Sequence, residues 1–268
     1  MKIIRRRFLQ VGGAVLAATL TGGTAYGYQS NILNAETDSR SVWGLAQPLR
    51  LGVMSDFHAP NYRFAASQLI EEVNRAQCDL LTIVGDSVDQ GGNEPLVKDL
   101  FAPMNASLGK FAVLGNWEYQ RGVNRRILKR AYRDAGVQLL VNEDAIVTAS
   151  GTDLRIVGLD DLLEGNSNLD LLQEKPELPT LVLSHCPALA EEIAPRVSRS
   201  ALILSGHTHG GQVAPFGIAL YVPTGSGPFV KGWYKVGQSD LYVSPGLGNN
   251  HVPFRIGIRP TLTILDIA

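Results

Sequence analysis

Asp, Asn and His residues recur along this chain in peptides spaced to hold metal ions: Ser55-Asp56-Phe57-His58, Gly85-Asp86-Ser87-Val88-Asp89, Gly115-Asn116-Trp117-Glu118, Ser184-His185-Cys186-Pro187 and Gly206-His207-Thr208-His209. Four of the five histidines fall in this series, a sorting that scattered core histidines would not produce. Any one peptide alone would be unremarkable, since a surface Asp or a core His is the commoner occurrence. The ordered set D-x-H, G-D-x-x-D, G-N, H and G-H-x-H reads instead as metal binding. Imidazole with carboxylate suits Mn, Zn or Fe.

The elements that must position these groups are legible as short apolar runs. Leu49 to Met54, Leu80 to Val84, Phe111 to Leu114, Leu181 to Leu183 and Ala201 to Leu204 each stop just before a motif and read as buried strands. Helices are predicted between them at roughly Phe64 to Ala76, Pro95 to Met104, Asn124 to Ala135 and Ala188 to Ile193. That alternation gives an α/β layered fold. In open α/β sheets ligands bind beyond the carboxyl ends of strands, so five loops are expected to bring their side chains to one sheet edge. Glycines before Asp86, Asn116 and His207 imply tight strand-to-loop turns. After His209, β-like runs at Leu220 to Val222, Trp233 to Val236, Leu241 to Val243 and Thr261 to Leu265 predict that the C-terminal part supplies a second sheet.

From Asp56 through His209 the chain resembles the calcineurin-like metallophosphoesterases. Leu241 to Gly248 (LYVSPGLG) and Pro253 to Gly257 (PFRIG) make it similar to that family's bacterial exported, YkuE/YaeI-like phosphodiesterase branch. The resemblance implies a sandwich of two packed β-sheets flanked by helices, holding two divalent metal ions. It places Asp56, His58, Asp86 and His209 on one metal and Asp86, Asn116, His185 and His207 on the other, with Asp86 bridging. Two cations about 3.5–4 Å apart can hold a bridging hydroxide as nucleophile and neutralise phosphoryl oxygens. Neutral imidazoles and the uncharged Asn116 would leave such a centre net positive. Asp86 and Asn116 are thus expected to serve catalysis as well as metal binding.

One departure bears on the chemistry: where the resembling family has His after Gly-Asn, this chain has Trp117, which cannot pass a catalytic proton. General acid assistance is typically worth about 10²–10⁴-fold. His251 could supply the proton, and its alternative is a solvated loop histidine. Trp117 itself is expected to line the leaving-group pocket and stack on a substrate ring. Asp89 is either an acceptor that orients a ligand histidine or a turn-forming Asp. Arg255 suits a phosphate oxygen or a carboxylate partner.

The chain of 268 residues with 45% hydrophobic content can bury a sizeable core. Residues 47–268 are assigned to one metallophosphoesterase domain, and 1–46 to a twin-arginine signal or anchor plus linker. Arg5-Arg6-Arg7-Phe8-Leu9 before a weakly apolar, Gly- and Ala-rich stretch carries that assignment. It implies the twin-arginine translocase as a partner, export to the periplasm or cell envelope, and either cleavage between Tyr26 and Ala46 or membrane anchoring through the N-terminus. Metal loading can precede such export, because metal binding and folding are coupled. A net charge of −1 gives no case for nucleic acid, and the basic Arg125, Arg126, Lys129 and Arg130 read as a solvated helix face. Cys78 and Cys186 read as free thiols. The expected function is an exported binuclear phosphoesterase acting on phosphodiester or pyrophosphate bonds of a small phosphoester or phospholipid-type substrate, such as an envelope glycolipid or nucleotide-sugar. The alternatives are a phosphomonoesterase or protein phosphatase, or a weakly active metal- or phosphate-binding envelope protein.

Overall fold

The apolar runs become strands because both their faces are covered. In β3 (Leu80–Val84) all five residues are buried; Leu80 and Val84 pack into one layer while Leu81 and Ile83 pack into another. The period of two is the strand's own alternation of side chains. The computed structural model describes residues 32–43, 45, 47–173, 178–197 and 201–268; the predicted export segment through Tyr28 lies outside them.

Among the described residues, two six-stranded sheets stack face to face. The first has the order β1 (Asn34–Arg40), β12 (Thr261–Ile267), β2 (Leu49–Met54), β3, β4 (Gly109–Val113), β5 (Val137–Leu139). The second runs β10 (Gly232–Val236), β11 (Ser239–Val243), β9 (Ala201–Ser205), β8 (Thr180–Leu183), β7 (Thr152–Gly158), β6 (Glu143–Ala149). The central strands are parallel in both sheets: β2 to β5 in the first, and β7, β8, β9 and β11 in the second.

The inner faces share one core that includes Leu51, Val53, Leu80, Val113, Leu181, Leu202, Leu204 and Leu265. Helices α1 (Ala66–Ala76), α2 (Pro95–Phe101) and α3 (Arg125–Asp134) cover the outer face of the first sheet through Leu69, Val73, Leu100, Phe101 and Leu128. The short α4 (Ala190–Ile193) packs Ile193 on the outer face of the second. Asn124 caps α3, its Oδ1 accepting from the N–H groups of Arg126 and Ile127. Arg125, Arg126, Lys129 and Arg130 all lie on the exposed side of α3.

Four sequence expectations need correction. The second sheet does not come from the C-terminal part alone: it recruits β8 and β9, and adds the hairpin β6–β7, while β12 returns to the first sheet. The motif-bearing strands are therefore divided, with β2, β3 and β4 in one sheet and β8 and β9 in the other, so the loops meet at a rim shared by two sheets. Leu220 to Val222 is no strand, and Leu220 and Tyr221 stand exposed. Residues 34–40, inside the stretch assigned to signal and linker, form β1 along β12, from Asn34 opposite Thr261 to Arg40 opposite Ile267.

Leu204 lies at the end of β9, fully buried between the sheets and three residues before His207. Leu204→Ala should lower the unfolding free energy by about 3 kcal/mol, read as a shifted midpoint at unchanged slope in urea unfolding.

Candidate metal centre

The strands deliver their side chains through strained turns. Asp56, His58, Asp86, His207 and His209 all leave their strands with left-handed backbone, at φ 53°, 46°, 52°, 72° and 51°. Such conformations cost of order 1–3 kcal/mol each in a residue with a Cβ, and they persist only where the surroundings over-determine them. Here main-chain bonds stitch the loops together. Asp56 N–H donates to Gly85 O at 3.0 Å, His58 N–H to Asp86 O at 2.9 Å, and Gly206 N–H to His185 O at 3.0 Å. The loops also meet too closely for side chains between them. A Cβ on Gly115 would collide with Asp86 Oδ1 and come within 2.8 Å of His185 Nε2.

All seven side chains named as ligands from the sequence are buried, and six of them, Asn116 apart, gather in two groups. Asp56, His58 and His209 form one group and Asp86, His185 and His207 the other, the donor atoms within each lying no more than 4.8 Å apart. His58 Nε2 is 3.1 Å from His209 Nε2, and His185 Nε2 is 3.3 Å from His207 Nδ1. Asp86 stands between the groups, with Oδ2 3.6 Å from His58 Nε2 and 3.3 Å from His185 Nε2. Asn116 Oδ1 is buried with no hydrogen-bond partner, as suits an oxygen reserved for a cation.

Hydrogen bonds on the far sides of the rings decide what the near sides present. His185 Nδ1 lies 2.8 Å from Val84 O and His207 Nε2 lies 2.7 Å from Thr224 O. A carbonyl only accepts, so both of those nitrogens carry hydrogen. His207 Nδ1 then turns a lone pair toward His185 Nε2; burial disfavours charge on His185, but the Asp86 carboxylate 3.3 Å away outweighs it and holds this imidazole well above its ordinary value, so the ion-free ring carries a proton there. That meeting point calls for positive charge, a proton in the ion-free chain, which a divalent ion would replace on binding.

The other imidazoles differ from His185. Burial lowers His58 to about 4 and holds His209 well below its ordinary value, with Arg255 adding to the depression of both. These imidazoles are therefore neutral, as metal binding requires. Burial lifts the Asp56 carboxyl to about 6. Burial alone would also raise Asp86, yet His185, His58 and His207 overcome it and hold the group below the usual carboxylate range.

Glu118 is the positioning residue that sequence reasoning missed. Fully buried, its carboxylate accepts N–H bonds from Gly115 at 2.7 Å, Ser87 at 2.6 Å and Asp86 at 3.0 Å. It thereby clamps the loop after β3 to the loop after β4. Burial and the Asp86 charge push its pKa up to about 8 while these N–H donors favour the ionised form. The sequence signal was its place three residues after Gly115, the spacing of a capping box.

Other expectations fare differently. Asp89 bonds to no ligand histidine: Val84 O, Thr224 O and Arg255 take the far ring nitrogens of His185, His207 and His209, and His58 Nδ1 is buried without a partner; Asp89 lines the cavity beside Trp117. Arg255 is fully buried and donates to the carbonyls of Gly248, Pro245 and His209, so it braces the C-terminal loop away from solvent. Trp117 does line a cavity of about 380 Å³, with Arg63, Asp89, Arg121, Asn249 and His251. It cannot also stack on a substrate ring in this arrangement. Only 5% exposed, it packs edge-on to His58, with Arg121's guanidinium 4.1 Å over its ring. His251 faces the same cavity, its ring 5.7 Å from that of Trp117. Cys78 and Cys186 are buried free thiols.

Two stacked sheets with these groups on their shared rim define a metallophosphoesterase. Residues 49–211 match the calcineurin-like phosphoesterase family model, so the chain belongs to that family and is a hydrolase acting on phosphoester bonds. It is 29% identical over 284 residues to the uncharacterized metallophosphoesterase YkuE of Bacillus subtilis, covering 99% of this chain and 98% of that protein. It is 27% identical over 274 residues to the phosphodiesterase YaeI of Escherichia coli, covering 99% of each. A Bos taurus transmembrane protein with metallophosphoesterase domain is 30% identical over 81% of this chain, which spans 52% of that protein. Among solved structures, TT1561 of Thermus thermophilus superposes at TM-score 0.50 and 13% identity, over 75% of this chain and 90% of that one. The NAD nucleotidase of Haemophilus influenzae does so at 0.50 and 15%, over 75% and 45%. These two likenesses are of fold.

Glu118→Ala should destabilise the metal-free chain by about 3 kcal/mol, because it strands buried N–H donors. Metal content per chain, measured by elemental analysis, should fall with it, although Glu118 is no ligand.

Proposed function

We propose that the chain is a binuclear metal-dependent phosphodiesterase or pyrophosphatase. The observation that carries this is the convergence on Asp86 of ring nitrogens from histidines of both sheets. Asp56, His58, His209 and Asp86 would hold one ion, and Asp86, Asn116, His185 and His207 the second, with Mn, Zn or Fe matching the donor set. When bound, such ions activate a water for attack on phosphorus and neutralise the phosphoryl oxygens.

The chain's own residues set what the site accepts. The cavity beside Trp117 gives room for a second ester substituent, which a monoesterase does not need. Arg63 and Arg121 at its wall favour an anionic substrate. Asn249, whose Oδ1 is buried without a partner, offers an acceptor for a substrate hydroxyl. Trp117 has no proton to give, so His251 is the group placed to protonate a departing alkoxide. The relative named a phosphodiesterase supports the diester reading.

Export by the twin-arginine translocase and residence in the periplasm or cell envelope complete the proposal, with a small phosphoester, envelope glycolipid or nucleotide-sugar as substrate. Any signal cleavage belongs upstream of Asn34, because a cut within 34–46 would remove β1 from the sheet.

Purified full chain, stripped of metal and reloaded with Mn²⁺ or Zn²⁺, should hydrolyse bis(p-nitrophenyl) phosphate in preference to p-nitrophenyl phosphate, and Asp86→Ala should abolish turnover. Monoester preference would establish the phosphatase reading instead; metal binding without turnover of either would establish a binding role. His251→Ala should cut kcat by about 10²-fold or more for diesters with alkyl leaving groups, yet barely touch bis(p-nitrophenyl) phosphate, whose leaving group needs no acid. Asn116→Asp should raise KM by adding negative charge to the centre, measured at full metal occupancy.

A further inference from the structure

Seven of the ten exposed large apolar side chains among the described residues lie along one rim. Phe216 is 91% exposed, Tyr221 72%, Ile218 68% and Leu220 49%, all on the loop that follows Gln212. Val252 and Phe254 belong to the C-terminal loop. The two loops are joined. Gln212 Nε2 donates to the carbonyls of Asn250, Val252 and Phe254, and Val213 bridges Ile256. The seventh side chain, Ile32, lies two residues before β1. That strand begins with Asn34 N–H donating to Pro260 O, four residues beyond the bridge to Val213. Asn34, Gly257, Ile258 and Arg259 line one cavity, so the chain enters the domain at the rim where the apolar loops project.

A contiguous exposed apolar surface marks a contact with something apolar. The stretch preceding β1 says what. Lys2 and Arg5 to Arg7 are followed by no charged residue until Glu36, a basic start and an apolar continuation suited to a bilayer. Lys231 and Arg259, both exposed, flank the rim as partners for headgroup phosphates. No described helix is long and apolar enough to cross a membrane, so contact there is by insertion of loop tips.

We propose that the loop of residues 213–221, with Val252 and Phe254, docks onto a phospholipid bilayer. The loop of residues 249–254 also walls the cavity beside Trp117 through Asn249, His251 and Val252. Docking therefore sets the mouth of the candidate active site at headgroup level. This inference is independent of the reaction class.

The test uses the full chain with Phe216→Cys carrying an environment-sensitive nitrobenzoxadiazole label; Cys78 and Cys186 are buried and do not compete. With phosphatidylglycerol–phosphatidylcholine vesicles, the label should brighten several-fold, shift to the blue, and be quenched by doxyl-labelled phospholipid. The same label at Ile146→Cys, on β6, should stay water-like. If the chain sediments with vesicles while the residue 216 label remains in water, the N-terminal stretch binds alone and the proposal is overturned. Absence of vesicle binding overturns it too, as does label shielding that grows with protein concentration without lipid, which would make the surface a contact between copies. Hydrolysis of bis(p-nitrophenyl) phosphate by the labelled chain reports on the reaction separately.

Discussion

The Asp86 carboxylate, buried and shared between imidazoles from two sheets, is the interaction on which the rest of the architecture turns. Its β3 turn must run left-handed to bring Oδ2 to His58 and His185 together. That turn holds because Glu118 secures its N–H groups and because Gly115 leaves the space that Asp86 Oδ1 fills. Buried ring nitrogens that face one another are unfavourable without positive charge between them, so the layers around them must be stiff enough to keep the rings from turning away. The dry core between the sheets supplies that stiffness beneath the loops.

Dividing the ligands between two sheets has a mechanical effect. A single open sheet carries its ligand loops side by side, and a twist of that sheet moves them all in sequence. Here His185, His207 and His209 ride on the second sheet while Asp56, His58, Asp86 and Asn116 ride on the first, so each of the two groups is closed only by how the sheets stack. His207 N–H donates across the gap to Asp56 Oδ1 and Oδ2, both at 3.0 Å, and fixes that relation, while Gly206 N–H to His185 O at 3.0 Å ties together the two ligand loops of the second sheet.

What could be read from the sequence followed from chemistry that residue type alone announces. Asp56, His58, Asp86, Asn116, His185, His207 and His209 declared themselves because metal-ligand residue types rarely gather at the ends of successive apolar runs unless they bind an ion together. β3 and β9 were legible because every residue in them is buried. β1 escaped because an outer strand of sequence NAETDSR has five of its seven residues exposed and carries no apolar period. β6 and β7 hid for a related reason: alternation on a half-solvated hairpin is weak, and the buried Arg155 interrupts β7 in the middle. Glu118 escaped as a positioning group because a capping box is read from a Ser or Thr three residues earlier, and here Gly115 stands in that place. The assignment of β12 to the first sheet depended on a pairing across more than two hundred residues, which local periodicity does not encode.

That last pairing governs the order in which the protein can be made. β12 lies between β1 and β2, so β1, the first strand among the described residues, has no neighbour to bond to until a segment more than two hundred residues later has left the ribosome. The first sheet closes only when residues 261–267 slide into the gap, and contacts of such long sequence separation form slowly. Asn34 to Arg40 therefore waits as a polar strand with few apolar side chains to aggregate through, until residues 261–267 emerge to capture it.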